Sequence, residues 1–319
     1  MNKQSKMGII AIVVVIPLVS LFVWSGDQNN NLQKVSVETK GEKIKVLASF
    51  YPLYEFTKEI GKDKVDVSVL VSPGVEPHDW EPTIKDIQKM QNADLIIING
   101  LGFEQWIEDV NIVNQQVKIL DTSFGITPIR IDHNSSETED EHDDETDGLN
   151  LDPHIWLNPK TIKIQVINIA SILKEMDPEN SEYYTENAKQ YLEKIDSADK
   201  EIREELAQCS KKDFIAFHDA FSYFAKEYSL NQHTVVDSLD PFGDPSPRNI
   251  ENVINLARDL DIRIIFTEEF VNPKMSQVIA DELGGKVLVL SPLEIEEEGK
   301  TFLERLLENK ENLKETLCK

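Results

Sequence analysis

Residues 181–209 read SEYYTENAKQYLEKIDSADKEIREELAQC, twenty-nine residues without a glycine or a proline. Tyr184, Ala188, Tyr191, Ile195, Ala198, Ile202 and Leu206 step by three or four, which draws one apolar stripe down an otherwise charged helix. At 1.5 Å per residue this helix extends about 43 Å, long against the usual three turns of a globular protein. Such a helix reads as a stiff strut between two lobes. The alternative is an ordinary surface helix of one lobe.

On both sides of it, strands alternate with helices. Ile44–Ser49, Val65–Val71, Leu95–Ile98 and Val117–Leu120 are β-rich runs. Between them, Pro52–Ile60 turns Leu53, Phe56 and Ile60 to one side, and Pro82–Met90 turns Ile84, Ile87 and Met90 inward. Beyond the long helix, Ile262–Phe266 and Val287–Leu290 are strands, and Thr301–Leu317 is a final helix carrying Phe302, Leu306, Leu313 and Leu317 on its packed face. Alternation of this kind implies parallel sheets with crossover helices. The opening also recurs: Leu47-Ala48-Ser49-Phe50 followed by Phe56-Thr57-Lys58-Glu59 can be laid on Ile215-Ala216-Phe217-His218 followed by Phe224-Ala225-Lys226-Glu227. The expected fold is therefore α/β: two similar parallel-sheet lobes, residues 43–180 and 210–319, joined by the rigid helix 181–209.

The net charge of −25 argues against a nucleic-acid partner, which rewards basic surfaces, and suits a protein that meets cations. Lys3 and Lys6 precede an apolar run from Met7 to Trp24, long enough to span a bilayer, with the acidic body after it. Residues 1–24 read as an uncleaved membrane anchor, with a cleaved signal segment as the alternative. No cysteine near the run offers a lipid attachment point. Residues 25–42 are polar and read as a tether. Either way the body is exported. Residues 132–148 hold nine acidic residues, His133 and His142 and almost nothing apolar, so they read as a solvated insert whose carboxylates and imidazoles could hold a metal weakly.

The chain has two cysteines, Cys209 at the end of the long helix and Cys318 at the end of the last one. They bracket one lobe, compact domains bring their ends together, and export permits oxidation. A Cys209–Cys318 disulfide is expected, with two free thiols as the alternative.

Three of the six histidines stand in distinctive settings: Pro77-His78-Asp79-Trp80-Glu81-Pro82, Asp152-Pro153-His154-Ile155-Trp156 and Ile215-Ala216-Phe217-His218-Asp219. A lone histidine beside an aromatic is most often an ordinary, partly buried residue. Three arriving from separate βα turns are what a tetrahedral zinc site with one further position needs.

With these motifs in view, the chain from about Lys43 to its C-terminus resembles the zinc- and manganese-binding receptors of ABC importers, the cluster A-I or zinc-uptake type. Phe50-Tyr51-Pro52, the His78 element, Asn92-Ala93-Asp94-Leu95, Asp152-Pro153-His154-Ile155-Trp156-Leu157 and Phe217-His218-Asp219-Ala220-Phe221 carry the resemblance. It implies a metal in the cleft between the lobes, bound by His78 and His154 from the first and His218 from the second. It also implies delivery to a membrane permease and its ATPase by a monomer tethered outside the cell. Many members place Asp-Pro-Leu after the last strand, whereas here the sequence is Ser291-Pro292-Leu293-Glu294. A serine hydroxyl is a poor zinc ligand, so Glu294 is the first choice for the fourth position, Glu268 the second and water the third. Three nitrogen ligands favour Zn²⁺ over Mn²⁺, which tolerates oxygen-rich sites. The rival functions are a manganese receptor of the same family, an adhesin or metal buffer without a transporter, and a zinc hydrolase. No H-E-x-x-H and no placed general base supports the last, and the expectation is a binding protein, not an enzyme.

Overall fold

Two four-stranded parallel sheets with the same strand order form the framework of a computed structural model. It describes residues 43–107, 117–131, 151–236, 238, 245–269 and 271–319. The anchor and tether (1–42) and the acidic insert (132–148) lie outside the described residues.

The first sheet has the order β2 (Val65–Val69), β1 (Ile44–Ala48), β3 (Leu95–Ile98), β4 (Lys118–Asp121). The second repeats it with β6 (Asn231–Thr234), β5 (Asp213–Ala216), β7 (Ile264–Thr267), β8 (Lys286–Val289). β3 and β7 are buried along their whole length, as strands covered on both faces must be. In each sheet the chain leaves the first strand toward one edge and returns to its other side, so the order reverses between β1 and β3 and between β5 and β7. Clefts at such reversals, outside the carboxyl ends of the strands, are where α/β sheets bind ligands.

Helix α1 (Tyr51–Gly61) starts on Pro52, whose fixed φ suits a first turn. Helix α2 (Ile84–Gln91) starts from a capping box between Thr83 and Asp86. Met90 is buried as expected, but Ile84 is 78 % exposed, contrary to its inward assignment. Side chains of a first helical turn lean back past the N-terminus, so Ile84 overshoots the packed face. Helix α3 (Pro159–Met176) has no counterpart in the periodicity analysis. Asn158 accepts a hydrogen bond from Lys160 N and Pro159 opens the helix, an Asn-Pro start signal visible in the sequence.

The long helix is α4 (Ser181–Ala207). All seven residues of its stripe are buried, together with Asn187, whose amide donates to Ile60 O at 2.9 Å. Helices α5 (Ser222–Tyr228), α6 (Pro247–Asp259) and α7 (Lys274–Glu282) flank the second sheet. The last helix, α8 (Phe302–Leu317), opens on a Thr301–Glu304 capping box and buries Phe302, Leu306, Leu313 and Leu317. Phe302 reaches into the first lobe, edge-on to Phe56 at 5.0 Å. One apolar core runs from Val46 and Leu95 of the first sheet through Tyr191 and Ile202 of α4 to Phe214, Phe266 and Leu290 of the second. Cys209 and Cys318 are bonded, with Cα atoms 4.2 Å apart, and tie the end of α8 to the end of α4.

Candidate metal centre

The loops at the carboxyl ends of the strands converge between the lobes. His78 lies between β2 and α2, His218 follows β5, Glu268 follows β7 and Glu294 follows β8. His154 departs from the expected βα turn. It caps the short 3-10 turn Ile155–Leu157 that leads into α3. What fixes this entry is hydrogen bonding: Asn99, at the end of β3, donates to Pro153 O at 2.8 Å, and Thr161 donates to Ile155 O.

The structure brings His78, His154, His218 and Glu294 together, each offering one ligand atom within 4.8 Å of all the others. The Nε2 atoms of His154 and His218 are 3.4 Å apart, and Glu294 Oε1 lies 3.5 Å from His78 Nε2 and 3.9 Å from His154 Nε2. A tetrahedron with zinc–ligand arms of about 2.0–2.1 Å has corners roughly 3.3 Å apart, so these three separations already lie close to tetrahedral edges, and the widest of the set, at most 4.8 Å, would have to draw in on binding. His154 and His218 are fully buried and Glu294 is 5 % exposed. His78 Nε2 and Glu294 Oε1 are buried without a hydrogen-bond partner. Two orphaned polar atoms aimed at one point cost free energy unless something polar sits between them.

Behind the rings stand two carboxylates. His154 Nδ1 is 2.8 Å from Asp152 Oδ1, which also accepts from His154 N at 2.9 Å. His218 Nδ1 contacts Glu268 Oε1 at 2.5 Å. Each Nδ1 therefore carries its hydrogen toward a carboxylate and leaves Nε2 facing the centre, the arrangement that orients metal-bound imidazoles. This corrects the second-choice ligand: Glu268 is behind His218 and outside the four-atom group. The sequence showed Asp152 only as part of the His154 motif, and its spacing of two residues from the ring was the available signal for its role.

Charge is uneven around these groups. Burial holds His154 well below the ordinary histidine range, helped by the neighbouring His78 and His218. Burial would also push His218 down, but the carboxylates of Glu268, Glu294 and Glu76 overcome it and hold His218 up at about 9. Burial, reinforced by the charge of Glu294, pushes Glu76 up to about 8. A cavity of about 20 Å³ between Glu76, Glu268, Glu269 and Glu294 has room for one water. A surface groove of about 540 Å³ lies along Lys45, Asp66 and Lys89 and is lined by no histidine. Convergent chemistry, not volume, marks the site here.

Residues 46–316 match the family model of ZnuA, the zinc-uptake complex component A, periplasmic. The chain belongs to the ZnuA family. The high-affinity zinc uptake system protein ZnuA of Bacillus subtilis is 36 % identical over 300 residues, 90 % of this chain and 92 % of that protein. Among solved structures, Zn(II)-bound AdcA from Streptococcus pneumoniae superposes with a TM-score of 0.74 at 29 % identity, covering 87 % of this chain and 58 % of that one. The laminin-binding protein Lmb of Streptococcus agalactiae, described as a bifunctional protein with adhesin and metal-transporting activity, gives a TM-score of 0.77 at 31 % identity over 86 % of this chain and 99 % of its own. The two-lobe ZnuA fold expected from the sequence is thus the fold found, and ZnuA-family membership agrees with the resemblance.

Proposed function

We propose that this protein is an extracytoplasmic receptor that captures Zn²⁺ with His78, His154, His218 and Glu294 and delivers it to an ABC permease and its ATPase. One observation carries the reading: three imidazole nitrogens and a carboxylate oxygen converge in a buried cleft, two of them without any other partner. Nitrogen-rich ligation supports zinc over manganese. A complete set of four protein ligands supports holding the ion over catalysis, since catalytic zinc keeps an open position for water. Zn(II)-bound AdcA and the zinc-uptake ZnuA of Bacillus subtilis support the same cargo. The body would be a monomer, held at the outer face of the membrane by residues 1–24 or released after their cleavage.

The test is metal analysis and competitive titration of residues 43–319 with Zn²⁺, Mn²⁺ and Fe²⁺ side by side. One tight zinc equivalent, lost in His78→Ala, His154→Ala and His218→Ala, is expected. Tighter binding of Mn²⁺ than of Zn²⁺ would overturn the choice of cargo, and turnover of ester or peptide substrates by the zinc-loaded protein would favour a hydrolase.

A further inference from the structure

Glu294 is carried by a loop whose shape is held from three directions, and Ser291 is the hub. Ser291 follows β8 where many relatives are expected to place a metal-binding aspartate. Its Oγ accepts from Leu293 N at 3.0 Å and from Arg305 Nη2 at 2.8 Å. Its backbone is clamped by one side chain of α8: Asn309 Oδ1 accepts from Ser291 N at 2.8 Å and Asn309 Nδ2 donates to Ser291 O at 2.6 Å. Arg305, 3 % exposed, also donates to Ile295 O, so it grips the loop on both sides of Glu294. From the opposite lobe, Trp156 Nε1 donates to Pro292 O at 2.7 Å.

Between these holds the backbone is strained. Leu293 sits at φ +60°, a left-handed conformation unfavourable for a residue with a branched side chain, and its side chain is fully buried. A residue kept there needs surroundings that over-determine it, and such outliers mark functional constraint. The bond from Leu293 N to Ser291 Oγ closes this turn and aims the next residue, Glu294, into the cleft.

We propose that Ser291, with Arg305, Asn309 and Trp156, positions Glu294 and so sets zinc affinity without touching the ion. The proposal rests on the reading of Glu294 as the fourth ligand. Read from the sequence, Ser291 was only a poor ligand, and its substitution would have been expected to do little. The structure gives it two buried hydrogen bonds that shape the loop.

The experiment compares Ser291→Ala, Glu294→Ala and the double variant in the full chain. Zinc affinity is read by chelator competition, the visible absorption of the Co²⁺-loaded protein reports the ligand set, and zinc-free melting temperatures report the fold. Ser291→Ala should weaken zinc about 10- to 100-fold, the range for losing a group that orients a ligand, and should shift the Co²⁺ spectrum toward that of Glu294→Ala. In the Glu294→Ala background it should cost nothing further. Trp156→Phe, which keeps the ring and loses the N–H, should weaken zinc about 2- to 12-fold, the net worth of one hydrogen bond, with the same dependence on Glu294. Wild-type affinity in Ser291→Ala while Glu294→Ala binds weakly, or fully additive losses in the double variant, would overturn the positioning role. Wild-type affinity and spectrum in Glu294→Ala would instead overturn the ligand assignment beneath it.

Discussion

Between His154 and His218 the two Nε2 atoms stand 3.4 Å apart, and only one proton can lie between them. His154 is held neutral by burial and His218 is held up at about 9, so without metal the proton belongs to His218. Zinc needs both nitrogens bare. The sign follows: below about pH 9 each zinc bound must displace a proton, so affinity rises with pH from 7 to about 9 and levels off above. Calorimetry at pH 7 in two buffers of different ionisation enthalpy should show at least one proton released per zinc. A buffer-independent heat would mean that His218 is already neutral. At this scale the sequence told much about the rings and little about their surroundings. His78, His154 and His218 could be read because each lies inside a short motif. Glu268 could not be read as the support of His218, because fifty residues separate them and only the β5–β7 pairing brings them together. Ser291 was hidden for the same reason, since its partners lie on α8.

The elements that could be read were those whose pattern is local and uninterrupted. The stripe of α4 needs only its own spacing, and the four apolar positions of α8 likewise. α3 is harder to read because its buried face includes Thr161 and Gln165 while Ile167 is half exposed, which blurs the apolar stripe, although Asn158-Pro159 announces its start. The pairing of Cys209 with Cys318 joins α4 and α8 at their ends, beside a second link in which the buried Lys310 meets Glu201 at 2.7 Å and Glu205 at 3.2 Å. The cross-link closes a separation of 109 residues. In the chain-entropy view, Cys209→Ser with Cys318→Ser should lower stability by up to about 4.7 kcal/mol, measured by denaturant unfolding, and zinc affinity should stay within about twofold of wild type. Two free thiols per denatured, unreduced chain would show the bond absent. The acidic insert is tied off at its base: Arg130 and Leu151 form an antiparallel bridge, and Asp152 N donates to Ile129 O at 3.0 Å. Deleting residues 132–148 should therefore leave the zinc-free melting temperature and the tight site unchanged, and should remove any weaker zinc equivalent seen by calorimetry. A large fall in melting temperature would assign the insert a structural role.

Across the whole molecule, the lobes are fastened on both sides of the cleft. Tyr223 of the second lobe donates to Asp152 O at 2.9 Å and accepts from Ile129 N at 3.0 Å, and Trp156 reaches Pro292. α4 and the edge-on pair Phe302–Phe56 stiffen the other side. Wide hinge closure has no room in this arrangement. X-ray scattering should give the same radius of gyration with and without zinc, and a resolvable compaction on binding would show that the lobes swing. The shared apolar interior has one more consequence, for how the protein comes apart. Bodies with two lobes ordinarily melt in separate steps. Here neither sheet can lose the packing of its inner face without opening the interior of its neighbour, because Tyr191, Ile202 and Phe302 lie in one core that both sheets share. The cooperative unit is then the entire body, and a partly denatured receptor with one intact lobe and a half-formed site would be a rare species. Calorimetry should record a single transition whose measured and van't Hoff enthalpies agree.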